Sequence, residues 1–305
     1  MRRRTKRRRV SASRESGSSL RKRCETARAR KARSTAVATA SATSTEMTAL
    51  IHAWLCAQKL AAGMRSSAVA MAAQPIPRPR AVLLDALGTL VTFAPPAPRL
   101  RAELRARLGV DVGAGRAANA IAAEIAYYRA HLHEGRDATS LADLRRRCAE
   151  AMRPALGPVA AAADGDALVA ALLAALRFEP FPDAPDTLRA LRAAGLRAVV
   201  VSNWDVSLHE RLAETGLAPL LDGAVASAEV GAAKPEPAIF AAALQIARAA
   251  PADAWHVGDT PEVDVAGALR AGVRPVLLAR GGAPPDAPPG VPVISTLADL
   301  PALWR

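Results

Sequence analysis

The chain has 305 residues, of which 51% are hydrophobic and 23% charged, a composition typical of a globular protein long enough to bury a sizeable core. Its formal net charge is +13, but residues 1–75 hold 17 of the 41 Lys and Arg and only 3 of the 28 Asp and Glu. The remaining residues carry nearly equal numbers of both signs, so their charge gives no reason to expect nucleic-acid binding by the folded part.

Residues 1–75 are predicted to be a basic, low-complexity, disordered extension outside the fold. Arg, Lys and Ser dominate residues 1–33, and such segments bury too little apolar surface to offset the entropy of ordering. Three interpretations stay open: an upstream stretch that precedes a true start at Met64 or Met71, an organelle transit peptide, or an arm for nucleic acid or a membrane surface. The first is favoured, because motifs defined by composition alone give many false positives.

The predicted location is the cytoplasm, or an organelle if residues 1–60 are a transit peptide. Only one of the three cysteines, Cys148, lies beyond residue 75, so the predicted fold has no internal disulfide and suits a reducing compartment. No apolar stretch is long enough for a membrane span, and we expect no membrane partner. The sequence leaves the oligomeric state open.

From residue 76 onward, short apolar runs alternate with helical patterns. Strands are predicted over residues 81–84, 197–201, 223–226, 254–257 and 275–278, with an edge strand at 291–294. Helices are predicted over residues 186–194, 205–215 with Asp205 as cap, 236–250, and 261–271 with Thr260 as cap. Unbroken apolar strands separated by helices indicate a parallel sheet that is covered on both faces and binds ligands beyond its carboxyl edge.

Residues 95–180 interrupt this alternation and contain no predicted strand. Helices are predicted there over residues 98–108, 116–132, 140–152 and 159–176. The predicted fold class is therefore α/β, with a Rossmann-like parallel sheet core and helices on both faces. Residues 76–94 and 181–305 would form this core, and residues 95–180 an inserted helical cap domain.

Polar residues follow the carboxyl ends of the first two predicted strands. Asp85 ends the first, and Thr89 lies in the turn behind it; Ser202 and Asn203 end the second. A carboxylate at the mouth of a parallel sheet can attack an electrophile. Hydroxyl and backbone N–H groups beside it can hold the oxygens of a phosphoryl group.

A lone lysine and an acidic pair complete the set. Lys234 is the only lysine beyond Lys59 and could neutralise both a nucleophile and a transferring phosphoryl group. Asp259 follows the strand at residues 254–257, and Asp264 lies about one helical turn further on. Together with Asp85 they would form an oxygen-rich site suited to Mg²⁺. The alternative for Asp264 is simple charge matching at a helix N-terminus.

The order and spacing of these motifs resemble the haloacid dehalogenase (HAD) superfamily, over residues 80–280. That family carries a nucleophile in D-x-D-x-T, then Ser or Thr, then Lys, then an acidic pair after a glycine. The Pro-Phe-Pro-Asp-Ala-Pro run at 180–185 and the Lys-Pro-Glu-Pro run at 234–237 also match. The resemblance implies catalytic Asp85, Thr89 and Lys234; phosphate binding by Ser202, Asn203, Thr89 and Lys234; and Mg²⁺ held by Asp85, the Leu87 backbone carbonyl, Asp259 and Asp264.

One position departs from the family pattern. The second aspartate of the first motif, which is the general acid and base of HAD phosphatases, is Leu87 here, as in the similar motif of the 2-haloacid dehalogenases. The leading prediction is a Mg²⁺-dependent phosphatase that acts on a small phosphorylated metabolite through an aspartyl-phosphate on Asp85. The alternatives are a metal-independent 2-haloacid dehalogenase, favoured by Leu87, and a non-catalytic binding module. His256, which alternates with apolar residues, is interpreted as a core histidine.

Overall fold

The computed structural model describes residues 77–158, 163–282 and 287–304. The extension predicted for residues 1–75 lies outside these residues, and its role stays a prediction. Within the described ranges, no helix combines the length and the apolar composition needed to cross a bilayer.

The centre of the fold is a six-stranded parallel sheet. The strands of the described residues are β1 (Ala81–Leu84), β2 (Val91–Phe93), β3 (Phe178–Pro180), β4 (Arg197–Ser202), β5 (Gly223–Ala226), β6 (Ala254–Gly258), β7 (Arg274–Leu278) and β8 (Val293–Ile294). The sheet order is β5-β4-β1-β6-β7-β8, and every neighbouring pair is parallel. Leu84 at the end of β1 pairs with Val200 of β4 and Val257 of β6, so the residues that follow these three strands emerge side by side.

Helices cover both faces of this sheet. The α-helices of the described residues are α1 (Pro96–Leu108), α2 (Ala114–His131), α3 (Ala138–Leu156), α4 (Gly165–Ala175), α5 (Ala184–Ala193), α6 (Leu208–Glu214), α7 (Ser227–Val230), α8 (Pro237–Ala247) and α9 (Ala266–Arg270). Single turns of 3-10 helix lie at Leu132–Glu134, Ala218–Leu220 and Pro251–Asp253, a longer one at Leu297–Trp304, and a π-helix at Pro261–Val265. Leu84 packs with Leu188 of α5 on one face, and Leu83 with Phe240 of α8 on the other. The predicted α/β class is confirmed.

The chain between β2 and β3 forms the four helices α1 to α4, which pack on a hydrophobic core of their own. Leu104, Ile121, Met152 and Leu172 are buried in it. The helix predicted over residues 159–176 begins at Gly165, and residues 159–162 lie outside the described part. The domain boundaries and the role of this helical segment as a cap over the site stay predictions.

Two short strands were not predicted. β2 and β3 pair antiparallel, with Val91 opposite Pro180 and Phe93 opposite Phe178. The expectation that residues 95–180 contain no strand was therefore wrong at residues 178–180. Each strand is only three residues long, and such runs carry too little alternation to be recognised in sequence.

Neither predicted cap residue, Asp205 or Thr260, caps its helix with its side chain, although the second helical segment begins at Pro261 as predicted. α6 begins at Leu208, and Asp205 lies in the preceding loop, where its Oδ1 accepts a hydrogen bond from the Ser207 N–H at 2.7 Å. The predicted cap Thr260 makes no side-chain capping bond. There the chain first forms the wide π-turn of Pro261–Val265 and then α9, which is a helix of only five residues.

Candidate active site

The carboxylate of Asp85 lies at the carboxyl edge of the sheet, where β1 ends between β4 and β6. Its side chain is buried, and its Oδ1 accepts hydrogen bonds from Ser202 Oγ at 3.0 Å and from Lys234 Nζ at 2.6 Å. These three residues come from three separate parts of the chain: Asp85 follows β1, Ser202 ends β4, and Lys234 precedes α8. The parallel topology explains their meeting, because the carboxyl ends of adjacent strands share one edge.

Lys234 forms the centre of the charge arrangement. Its Nζ lies 2.6 Å from Asp85 Oδ1 and 2.6 Å from Asp264 Oδ1, and its side chain is only 2% exposed. Burial alone would lower the pKa of Lys234, but the two carboxylates outweigh that effect and raise it. The ammonium therefore stays charged and bridges the nucleophile candidate to the acidic pair.

Asn203 holds the main chain of this lysine. Its Nδ2 donates to the Lys234 carbonyl at 3.0 Å, and its Oδ1 accepts from the Lys234 N–H at 2.7 Å. The side chain of Asn203 thus fixes Lys234. The contact predicted between phosphate and the backbone N–H groups of this segment stays a prediction.

Asp85, Asp259 and Asp264 offer carboxylate oxygens that all lie within 4.8 Å of one another. Two glycines permit this approach. A Cβ added at Gly258 would lie 2.2 Å from Asp264 Cγ, and one added at Gly88 would lie 2.1 Å from Asp259 Oδ2. Gly88 also has φ +89°, which disfavours any residue with a side chain. The side chain of Asp264 therefore lies against Gly258, and that of Asp259 lies against Gly88.

The three carboxylates have different proton affinities. Burial raises the pKa of Asp85, although Lys234 opposes it. Desolvation by the surrounding protein and the charges of Asp85 and Asp264 raise the pKa of Asp259 to about 7, even though part of its side chain reaches solvent. Burial would also raise the pKa of Asp264, but Lys234 and His256 hold it below its ordinary value. One cation thus faces more negative charge than it neutralises.

Thr89 and Leu87 lie in the turn behind Asp85. Thr89 is fully buried, and its Oγ1 has no hydrogen-bond partner among the described residues. Such an atom is a candidate donor to a bound anion, because buried hydroxyls are normally paired. Leu87 is half-buried, and its side chain packs against the core beside β1.

Three residues of this region were not predicted as part of the site. His256, on β6, places its Nε2 2.9 Å from Asp264 Oδ1, so the core-histidine interpretation missed a polar contact. Arg280 donates to the Thr89 carbonyl at 2.8 Å and forms two 2.9 Å bonds with Asp183. No spacing in the sequence predicts these contacts, although Asp183 belongs to the run at 180–185 that matches the family pattern.

The profile of the haloacid dehalogenase-like hydrolase family matches residues 79–272. Among curated relatives, a phosphoserine phosphatase of Thermus thermophilus is 40% identical over 111 residues, which are 36% of this chain and 45% of that protein. A glyceraldehyde 3-phosphate phosphatase of Methanopyrus kandleri is 36% identical over 104 residues, 34% of this chain and 45% of that protein. The chain thus spans less than half the length of these two relatives.

The fold is also found among solved structures. A 2-haloacid dehalogenase from Pseudomonas syringae superposes with a TM-score of 0.53 at 27% identity, over 75% of this chain and 98% of that one. Asp85, Ser202, Lys234 and the acidic pair, which carry the resemblance inferred from sequence, all lie within the matched residues. Since the family profile covers well over half of the 305 residues, the chain belongs to the haloacid dehalogenase-like hydrolases.

Proposed function

We propose that this hydrolase is a Mg²⁺-dependent phosphatase that acts on a small phosphorylated metabolite through an aspartyl-phosphate on Asp85. The observation that carries the proposal is the meeting of three carboxylates within 4.8 Å, two of which, Asp85 and Asp264, are paired to Lys234. A site that only displaces halide has no need of a cluster of three carboxylates that could hold a metal. The two phosphatases among the curated relatives support the same choice.

The donor set fits a hard divalent cation. Carboxylate oxygens are the ligands that Mg²⁺ prefers. The pKa of Asp259 is raised by desolvation and then by the charges of Asp85 and Asp264, and a bound cation would compensate those charges. Lys234 and Ser202 bond Oδ1 of Asp85, and no hydrogen bond reaches its Oδ2 from the described residues. Asp85, Asp259, Asp264 and the Leu87 carbonyl would hold the ion. Bound Mg²⁺ would supply charge neutralisation for the phosphoryl oxygens.

The chain's own groups account for the covalent steps. An oxygen of Asp85 attacks phosphorus, the bond from phosphorus to the leaving oxygen breaks, and the leaving group departs with the electron pair. Ser202 Oγ, Thr89 Oγ1 and Lys234 Nζ are the donors available to the phosphoryl oxygens. Water then attacks phosphorus, and the bond from phosphorus to the Asp85 oxygen breaks. Inorganic phosphate leaves with both protons of the water, and Asp85 returns as a carboxylate.

Leu87 predicts a limit on the substrate range. Its side chain cannot protonate the departing oxygen, and the loss of general acid catalysis typically costs ~10²–10⁴-fold in rate. Esters whose leaving groups depart readily as anions should therefore be cleaved far better than alkyl phosphates. The same residue is the specific observation that favours the second candidate, a metal-independent 2-haloacid dehalogenase with Asp85 as nucleophile.

The deciding experiment compares two substrate classes with and without metal. Phosphate release from para-nitrophenyl phosphate should require Mg²⁺ and stop in EDTA, with Asp85→Asn as the inactive control. The variant Leu87→Asp should narrow the gap between aryl and alkyl phosphates, because it restores an acid at that position. Halide release from 2-haloacids in EDTA, without any cleavage of phosphate esters in Mg²⁺, would replace the phosphatase by the dehalogenase. Turnover of neither class would favour the binding module.

A further inference from the structure

We propose that His256 is a positioning residue that fixes the carboxylate of Asp264 for the divalent cation. The proposal rests on the Mg²⁺ site of the proposed function. It assigns a role to a buried side chain that takes no part in the covalent steps above.

His256 lies on β6, two residues before Gly258 and therefore on the same face of the strand. Its Nε2 lies 2.9 Å from Asp264 Oδ1, and the histidine is 1% exposed. A carboxylate can only accept, so Nε2 carries the proton and donates. The path of the chain explains the contact, because the π-turn of Pro261–Val265 brings Asp264 back over Gly258, where no Cβ blocks it.

Asp264 is held through both oxygens. Oδ1 accepts from His256 and from Lys234 Nζ at 2.6 Å, and Oδ2 accepts from the Thr260 N–H at 3.0 Å. Lys234 is shared with Asp85 and would also face the substrate. Among the described residues, His256 is therefore the one side-chain donor on Asp264 that makes no hydrogen bond to Asp85.

The other ring nitrogen shows that packing does not explain this histidine. Nδ1 is buried and makes no hydrogen bond to any described residue, while the edge of the ring meets Phe240 at 5.0 Å between ring centres. A leucine or methionine on β6 would leave no polar atom unsatisfied. The histidine leaves Nδ1 without a hydrogen bond to a described residue, which is unfavourable for a buried nitrogen. What it provides, and an apolar side chain would not, is the Nε2 donor to Asp264.

Loss of the Nε2 donor should lower the affinity for Mg²⁺ and leave the sheet folded. Residues that hydrogen-bond metal ligands orient them, and their removal typically costs 10–100-fold in metal affinity. Without His256, Asp264 Oδ1 would be drawn towards Lys234 alone. We therefore expect weaker Mg²⁺ binding together with a largely intact fold.

The test uses a matched pair of variants at the same position. His256→Gln keeps an N–H donor at a similar reach, and His256→Met has nearly the shape of glutamine but no donor. Mg²⁺ affinity is measured by calorimetric titration of the full chain, and thermal unfolding is measured in EDTA. His209→Gln, on a half-exposed residue that contacts Glu229, is the control for histidine loss elsewhere.

The methionine variant should bind Mg²⁺ about 10–100-fold more weakly than the unaltered protein, while the glutamine variant stays within about threefold. Both should unfold at similar temperatures in EDTA. If the methionine variant does not fold, His256→Leu takes its place. Equal Mg²⁺ affinity in the donor-free variant and the unaltered protein would overturn this inference alone. Absence of Mg²⁺ binding by the unaltered protein would overturn the metal site of the proposed function as well.

Discussion

Replacing Asp259 by asparagine should stabilise the metal-free protein. Asp259 lies beside Asp85 and Asp264, and desolvation and these two charges raise its pKa from 3.8 to about 7. Such a shift means that its ionised form is disfavoured in the folded state. Asparagine has nearly the same shape and removes the charge, so the fold loses a repulsion when no cation is present.

The gain in stability expected for Asp259→Asn follows from the pKa shift of Asp259 and from the exposure of its side chain. A rise of this size would correspond to about 4 kcal/mol at full ionisation. Because the Asp259 side chain is exposed, solvent screening reduces this to roughly 1–2 kcal/mol. For a fold of this length, that predicts an increase of roughly 2–8 °C in the unfolding temperature at pH 8 in EDTA.

The destabilisation caused by ionised Asp259 increases as the pH rises. In the unfolded chain this carboxyl titrates near pH 4, and in the folded protein near pH 7. The penalty is therefore absent below about pH 4, grows between the two values and is complete above pH 7. The unfolding curves of the unaltered protein and Asp259→Asn should separate as the pH rises through this window and coincide near pH 4.

With Mg²⁺ bound, the unaltered protein should be more stable than Asp259→Asn. An ion at 100 times its dissociation constant stabilises a folded protein by about 2.7 kcal/mol, and the variant would lose most of that gain. Differential scanning calorimetry from pH 4 to pH 8, with EDTA and with Mg²⁺, measures both effects. A lower unfolding temperature for Asp259→Asn at pH 8 in EDTA, or a difference that persists unchanged at pH 4, would refute this account of the site.

Three further substitutions test the surrounding structure. Asp85→Asn should reduce turnover on the order of 10⁴-fold or more and leave the fold intact, as steady-state kinetics and circular dichroism would show. Gly88→Ala should cost about 1–2 kcal/mol from its left-handed backbone and also push Asp259 aside, so both Mg²⁺ affinity and unfolding temperature should fall. Arg280→Gln should destabilise the protein by about 1–3 kcal/mol and lower kcat more than it raises KM, because it frees the carbonyl of Thr89; an unchanged kcat would contradict that role.

Much of the sheet could be predicted because its strands are short apolar runs that end at polar residues. The position of Asp85 after residues 81–84 and of Asp259 after residues 254–257 follows from that pattern alone. The parallel order then brings these carboxylates to one edge. The roles of the site residues stay predictions, although the structure places Asp85, Ser202 and Lys234 in contact.

Other contacts have no signature in the sequence. The His256 contact depends on a π-turn, which departs from the helical period that sequence patterns report. Arg280 and Asp183 are 97 residues apart, and only the packing of the C-terminal segment brings them together. Asn203 follows a strand as a phosphate ligand would, yet its amide is committed to the main chain of Lys234.

The pairing of β2 with β3 determines where the four helices could be removed from the chain or exchanged. The path into the four helices runs through β2 and the path out through β3, and the two meet where Ala94 N donates to Arg177 O at 2.9 Å. The chain thus enters and leaves the helical segment at two points that lie one strand spacing apart. A two-residue Asn-Gly turn could bridge that gap. The helices could then be deleted, or exchanged for those of another protein, while the sheet edge keeps its residues.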